Sequence, residues 1–282
     1  MIIDMHTHIF PDKIAADVID KLSQKSRTLA FTDGTLNELL NSMSRANVDL
    51  SVILPVTTNT KQVTKINDVA AALNEKFNSQ RIISFAGIHP DFDDYKLELS
   101  RVKSLGFKGL KIHPVYQDTN LDDLKYLRII ERAAELDLIV VTHAGLDVGF
   151  PGVDRCNPEM SRRVINEIGN FKFVLAHMGA WKQWDAVIDK LADTNVYIDT
   201  AFSTGFIKPR PDSHWNVEDL AMLNQNQFMK IFNAFSADRI LFGTDCPWSS
   251  QADSMKFINQ LPISEIDKQK ILGENAMQLL KV

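Results

Sequence analysis

Short apolar, β-branched runs alternate along this chain with longer stretches of helical periodicity, the rhythm of repeated βα units around a parallel sheet. Eight runs read as strands: Ile2 to His8, Leu50 to Val56, Arg81 to His89, Phe107 to His113, Leu138 to His143, Phe171 to His177, Asn195 to Asp199 and Arg239 to Asp245. Between them, Leu124, Leu127, Ile130 and Ala134 recur at three- and four-residue spacing, as one face of an amphipathic helix requires. Similar patterns run through Val69, Leu73 and Phe77, and through Leu97, Val102 and Leu105. A helix from Thr35 to Ala46 is expected to be capped by Asp33. Gly106, Gly169, Asp137 and Asn195 stand where helices should stop and strands begin, and residues Ser264 to Leu280 read as a closing helix. One connection breaks the rhythm. The segment from Ser203 to Asn226 is long, polar and contains proline; after strand seven it reads equally as a functional loop or as a tolerated insertion.

Eight such units in 282 residues predict a single (β/α)8 TIM barrel, class α/β, spanning 1–282 as one domain. A doubly wound open sheet finds no support, because no glycine-rich turn follows the first strand. The 45% hydrophobic and 24% charged content suits a globular chain with a large core. A net charge of −5 with no basic block argues against a nucleic-acid partner. No apolar run approaches the roughly 20 residues that cross a bilayer, so no membrane partner is expected either. The start, Met1-Ile2-Ile3-Asp4, does not read as a signal peptide. The two cysteines, Cys156 and Cys246, lie far apart without thiolate-site spacing, which fits a reducing cytoplasm. The expected partner is a small-molecule substrate, with a homodimer left open.

Barrel enzymes carry their chemistry at the C-terminal ends of the strands. Six of the seven histidines fall at such ends here: His6 and His8, His89, His113, His143 and His177; only His214 lies elsewhere. Asp245 ends strand eight. His6 and His8 are two apart, so both point to one strand face, and in a barrel that face can be the interior. Two imidazoles held there make half a site for Zn2+, Mn2+ or Fe2+. Lys111 and His113 share a face by the same spacing. Taken singly, each of these residues also has a structural reading: Asp245 as a helix cap, the histidines as bonded core groups, and Trp181 and Trp248 as packing rather than pocket wall.

Four motifs taken together resemble a known family: Asp4-x-His6-x-His8, Val141-Thr142-His143, Leu175-Ala176-His177-Met178-Gly179, and Leu241-Phe242-Gly243-Thr244-Asp245-Cys246-Pro247-Trp248. They are similar to the amidohydrolase superfamily, and within it to the amidohydrolase-related branch that includes aminocarboxymuconate-semialdehyde decarboxylase. Ile271-Leu272-Gly273-Glu274-Asn275-Ala276 resembles the family's final helix. The resemblance implies one divalent metal, commonly zinc, held by His6, His8, His143 and Asp245. It implies catalytic roles for Asp245, as proton acceptor, and for His177, which would contact water or substrate at the metal. Lys111 would be either carboxylated between two metals or a free lysine pairing with a substrate carboxylate. With His113, His89 and Arg210 it completes the expected substrate-binding set.

The leading functional expectation is a metal-dependent hydrolase of a small-molecule amide, ester or lactone, using a metal-activated water. The alternative is a nonhydrolytic metal-dependent decarboxylase of an aromatic or unsaturated carboxylic acid, since the same ligands serve both. A phosphoesterase that also opens with His-x-His lacks its further motifs here. A silent metal-binding protein would not need every expected ligand.

Overall fold

The computed structural model describes Met1 to Val282 except Val217. Eight strands form the barrel: β1 (Ile3–Thr7), β2 (Leu50–Ile53), β3 (Ile82–Ser84, resumed at Ala86–Gly87), β4 (Gly109–Ile112), β5 (Ile139–Thr142), β6 (Phe173–Leu175), β7 (Tyr197–Asp199) and β8 (Ile240–Leu241). The ladders are parallel, running β1 to β2 to β3 and β3 onward through β4, β5, β6 and β7 to β8. The first and last strands close the ring: the backbone N–H of Met5 donates to Phe242 and that of Asp245 to His6, both at 2.8 Å.

Alternation along the strands sorts the core into two layers. Ile3, Met5, Leu50, Val52, Ile83, Phe85, Ile139, Val141, Val174 and Leu241 pack together inside the barrel, where Leu279 and Leu280 of the last helix join them. The opposite faces (Ile53, Ile82, Leu110, Ile112, Val140, Phe173, Ile198) pack against the surrounding helices, for example onto Ile129, Ile130 and Ala133 of the helix Leu124–Glu135. These buried side chains stabilise the fold at about 25 cal/mol for each Å² removed from water.

The strands are shorter than the sequence suggests. Their C-terminal ends leave the ladder early because the chain turns there to aim side chains: His177, Met178 and Asp245 all adopt left-handed backbone, with φ of 63°, 55° and 66°. Such φ values are disfavoured for residues with a Cβ and gather where function demands them. The predicted cap is also corrected. Thr35 caps the helix Leu36–Ala46 through the N–H of Glu38, while Asp33 accepts from the N–H and hydroxyl of Thr35. Thr35 wins because its hydroxyl lies one residue from the first turn.

The Ser203 to Asn226 segment, apart from Val217, which lies outside the described residues, is tied to the excursion that follows β1. Lys208–Pro209 pairs antiparallel with Thr28–Leu29, and the indole N–H of Trp215 donates to the Ser26 carbonyl at 2.7 Å. These two-residue strands leave no periodicity to read. Among the described residues no helix is long and apolar enough to cross a membrane.

Candidate metal centre

One extra residue in β1 builds the first half of the site. Ile3 and Asp4 pair with Leu50 and Ser51, but Thr7 pairs with Ile53, so β1 carries three steps against two on β2. The bulge reverses the facing of the residues beyond it. Ile3 and Met5 fill the barrel core, and past the bulge His6 and His8 also turn inward. Asp4 fixes the seam beside them. Its buried carboxylate accepts from the His6 and Thr244 N–H groups, the Thr244 hydroxyl and the Gln251 amide, at 2.6 to 3.1 Å. Burial raises its pKa to about 7 against those hydrogen bonds.

The hydrogen-bond partners set the tautomers of the imidazoles. His6 Nδ1 lies 2.8 Å from the Asp199 carboxylate and His8 Nδ1 lies 2.7 Å from the Leu54 carbonyl. Both partners only accept, so each Nδ1 carries the proton and each Nε2 presents a lone pair. Those two Nε2 atoms face each other at 3.2 Å, with Asp245 Oδ1 at 3.5 Å from the first and 3.0 Å from the second. Three electron-pair donors converge with no hydrogen between them, the donor set a divalent cation takes up. His6 is held neutral, its pKa well below the usual value through burial and then through Lys111. Lys111 is wholly buried with Nζ 3.3 Å from His6 Nε2, and burial lowers its pKa to about 8.

A second group sits beside the first. His177 Nδ1 donates to the Ala201 carbonyl at 2.9 Å, leaving Nε2 to accept from His143 Nδ1 at 2.9 Å. The His177 ring centroid is 5.4 Å from that of His6 and 4.7 Å from that of His143. His143 Nε2, buried and without a partner, faces Asp147 Oδ2 at 3.8 Å, as does Nε2 of His113, whose ring stacks on His143 at 4.2 Å. Ligand atoms of His6, His8 and Asp245 lie within 4.8 Å of one another, and so do those of His113, His143 and Asp147. His143 therefore stands with the second group rather than the first. Gly145 makes the approach of its loop to the next one feasible: a Cβ there would sit 2.2 Å from the Trp181 nitrogen.

The remaining expected residues lie further out. His89 is buried, its Nδ1 accepting from the Asp91 N–H. Arg210 pairs through Nε with Asp212 in its own loop. Trp181 joins Phe202, Ile207 and Leu220 in an apolar cluster with Trp248 alongside. Three contributors were not expected. Asp147, four residues after His143, is raised to about 6 by burial, and Asp199 bonds His6. Gln117 donates to the Thr57 and Ile88 carbonyls while accepting from the His113 N–H, which ties three strand ends together. The i, i+4 spacing from His143 to Asp147 was the only available hint.

A family model described as Amidohydrolase matches residues 3–282. The chain belongs to the amidohydrolase family. No curated protein matches this amidohydrolase, but solved structures do. An uncharacterised TIM-barrel protein from Bordetella bronchiseptica is 18% identical, covers 99% of this chain and 98% of that one, and gives a TM-score of 0.75. The 5-carboxyvanillate decarboxylase of Sphingomonas paucimobilis is 16% identical over 100% and 99% of the two chains, at 0.67. A dihydroxybenzoic acid decarboxylase from Polaromonas sp. JS666, solved with manganese and the inhibitor 2-nitroresorcinol, is 18% identical over 99% and 96%, also at 0.67. The shared property is the barrel, and the protein is an enzyme of the amidohydrolase superfamily.

Proposed function

We propose that this amidohydrolase-family enzyme is a metal-dependent, nonhydrolytic decarboxylase of a hydroxylated aromatic carboxylic acid. The observation that carries the reading is the convergence of the His6 and His8 lone pairs with Asp245. Decarboxylases of dihydroxybenzoate and carboxyvanillate among the structural neighbours favour CO2 release over the hydrolysis that the sequence put first.

His6, His8 and Asp245 would hold one divalent ion, zinc or manganese, and His143 would complete the set by turning its Nε2 from Asp147 toward them. When bound, that ion supplies a Lewis acid for the substrate's carboxylate and neighbouring oxygen. His177, whose ring lies between those of His6 and His143, would contact the acid. In the reaction the bond from ring carbon to carboxyl carbon breaks, CO2 leaves, and the ring carbon gains one proton. Asp245 would relay that proton, drawn from solvent. Uncarboxylated Lys111 balances the buried charges of Asp199 and Asp245.

Incubation of the manganese-loaded protein with carboxyl-13C-labelled 2,6-dihydroxybenzoate and related acids tests the reading. Labelled CO2 and the decarboxylated phenol are expected. Cleavage of lactones or amides with incorporation of solvent 18O, and no labelled CO2 from any acid, would return the assignment to the hydrolase.

A further inference from the structure

We infer that Asp199 is the positioning residue of this centre: its one carboxylate selects which nitrogen of His6 faces the cation and holds the turn that delivers His177. The inference rests on the proposed metal centre and adds to it a residue that sits behind the ligands.

Asp199 ends β7 and is wholly buried. Its Oδ2 accepts from His6 Nδ1 at 2.8 Å, reaching past β8 to β1. Its Oδ1 accepts from the backbone N–H groups of His177 at 2.9 Å and Ala201 at 3.1 Å. The first bond places the His6 proton on Nδ1 and so leaves the Nε2 lone pair to the metal position. The second pair pins His177 in its left-handed conformation, next to the Ala201 carbonyl that sets the tautomer of His177 in turn. A carboxylate behind a ligating imidazole also makes its other nitrogen a stronger donor.

The three bonds make the isosteric amide the sharpest probe. In Asp199→Asn the carbonyl oxygen is claimed by two backbone N–H groups, which turns the NH2 toward His6 Nδ1. Two donors cannot face each other, so His6 must move its proton to Nε2 and lose the lone pair that binds metal. The experiment measures Zn2+ and Mn2+ affinity by competition with a fluorescent chelator, beside 15N shifts of the histidine rings without metal. Asp199→Asn should bind roughly 10- to 100-fold more weakly, with His6 Nε2 protonated. Asn67→Ala serves as control. It breaks a buried network from Asn67 to Gly87 and Glu98, so it should lower the melting temperature and leave metal affinity unchanged.

Asp199→Asn binding metal as tightly as the wild type would overturn the inference. Should that variant not fold, the wild-type ring decides: a protonated Nε2 on His6 overturns the inference and a protonated Nδ1 supports it. A wild type that binds neither ion defeats the metal reading instead, a result separable from the tautomer of His6.

Discussion

Lys111 offers a test of the electrostatics that can be worked in numbers. Its ammonium is fully enclosed, with Nζ beside the His6 nitrogen that the metal needs. Burial brings its pKa from 10.5 down to about 8 against the pull of Asp199 and Asp245. At about 1.36 kcal/mol per pKa unit, that gap destabilises the native state by about 3 kcal/mol wherever both states are protonated, below pH 8. The unfolded chain binds more protons between pH 8 and 10.5, so this penalty fades and stability rises with pH through that window. Lys111→Met, similar in length and apolar, should therefore stabilise the metal-free protein at pH 7. The ceiling is about 3 kcal/mol, reduced by the loss of a cation near two carboxylates. A metal ion competes with the same proton. Neutralising a lysine of pKa about 8 at pH 7 costs about 1.4 kcal/mol, or tenfold in affinity. Wild-type affinity should climb about tenfold between pH 7 and 9, and Lys111→Met should be tighter and flat over that range. Urea melts of the metal-free proteins and chelator-competition titrations measure both quantities. A variant more than about 1 kcal/mol less stable than wild type at pH 7, or one retaining the pH slope, would refute the account of Lys111 as a buried, proton-holding competitor.

Three further outcomes are expected. His177→Asn should keep nearly all of its metal while activity falls steeply, because a contact to the reacting groups is lost. His6→Ala or His8→Ala should lose metal and activity together, with elemental analysis beside kinetics separating the classes. Asp147→Asn bears on pH dependence. The Asp147 pKa is raised from 3.8 to about 6 by burial, so the native state holds the extra proton between those values and stability from this group declines as pH rises through the window. The variant should remove that decline and gain up to about 3 kcal/mol at pH 7 in urea melts; an unchanged pH profile would contradict it.

Period-two runs ending in histidine, and the helical patterns between them, determined the barrel and the end at which chemistry would gather. Local side-chain alternation suffices for that inference, because parallel βα units close in few ways. The convergence of His6, His8 and Asp245 was legible for the same reason. What the sequence left open depended on neighbours distant along the chain. Strict alternation puts His6 on the face opposite Ile3 and Met5, and only the extra residue in β1, measured against β2, turns it inward. Left-handed turns at His177 and Asp245 come from contacts across the barrel mouth, such as the Asp199 bond to the His177 N–H. That His143 stands beside His113 and Asp147, with its Nδ1 on His177, was decided by packing between adjacent loops. Asp199 looked like a plain strand end, since a hydrogen bond between residues 193 apart leaves no periodic trace in the chain. Local order followed from the residues themselves; the tautomers and the direction of each lone pair followed from tertiary structure, because a partner that only accepts must be in place before a ring can commit its proton.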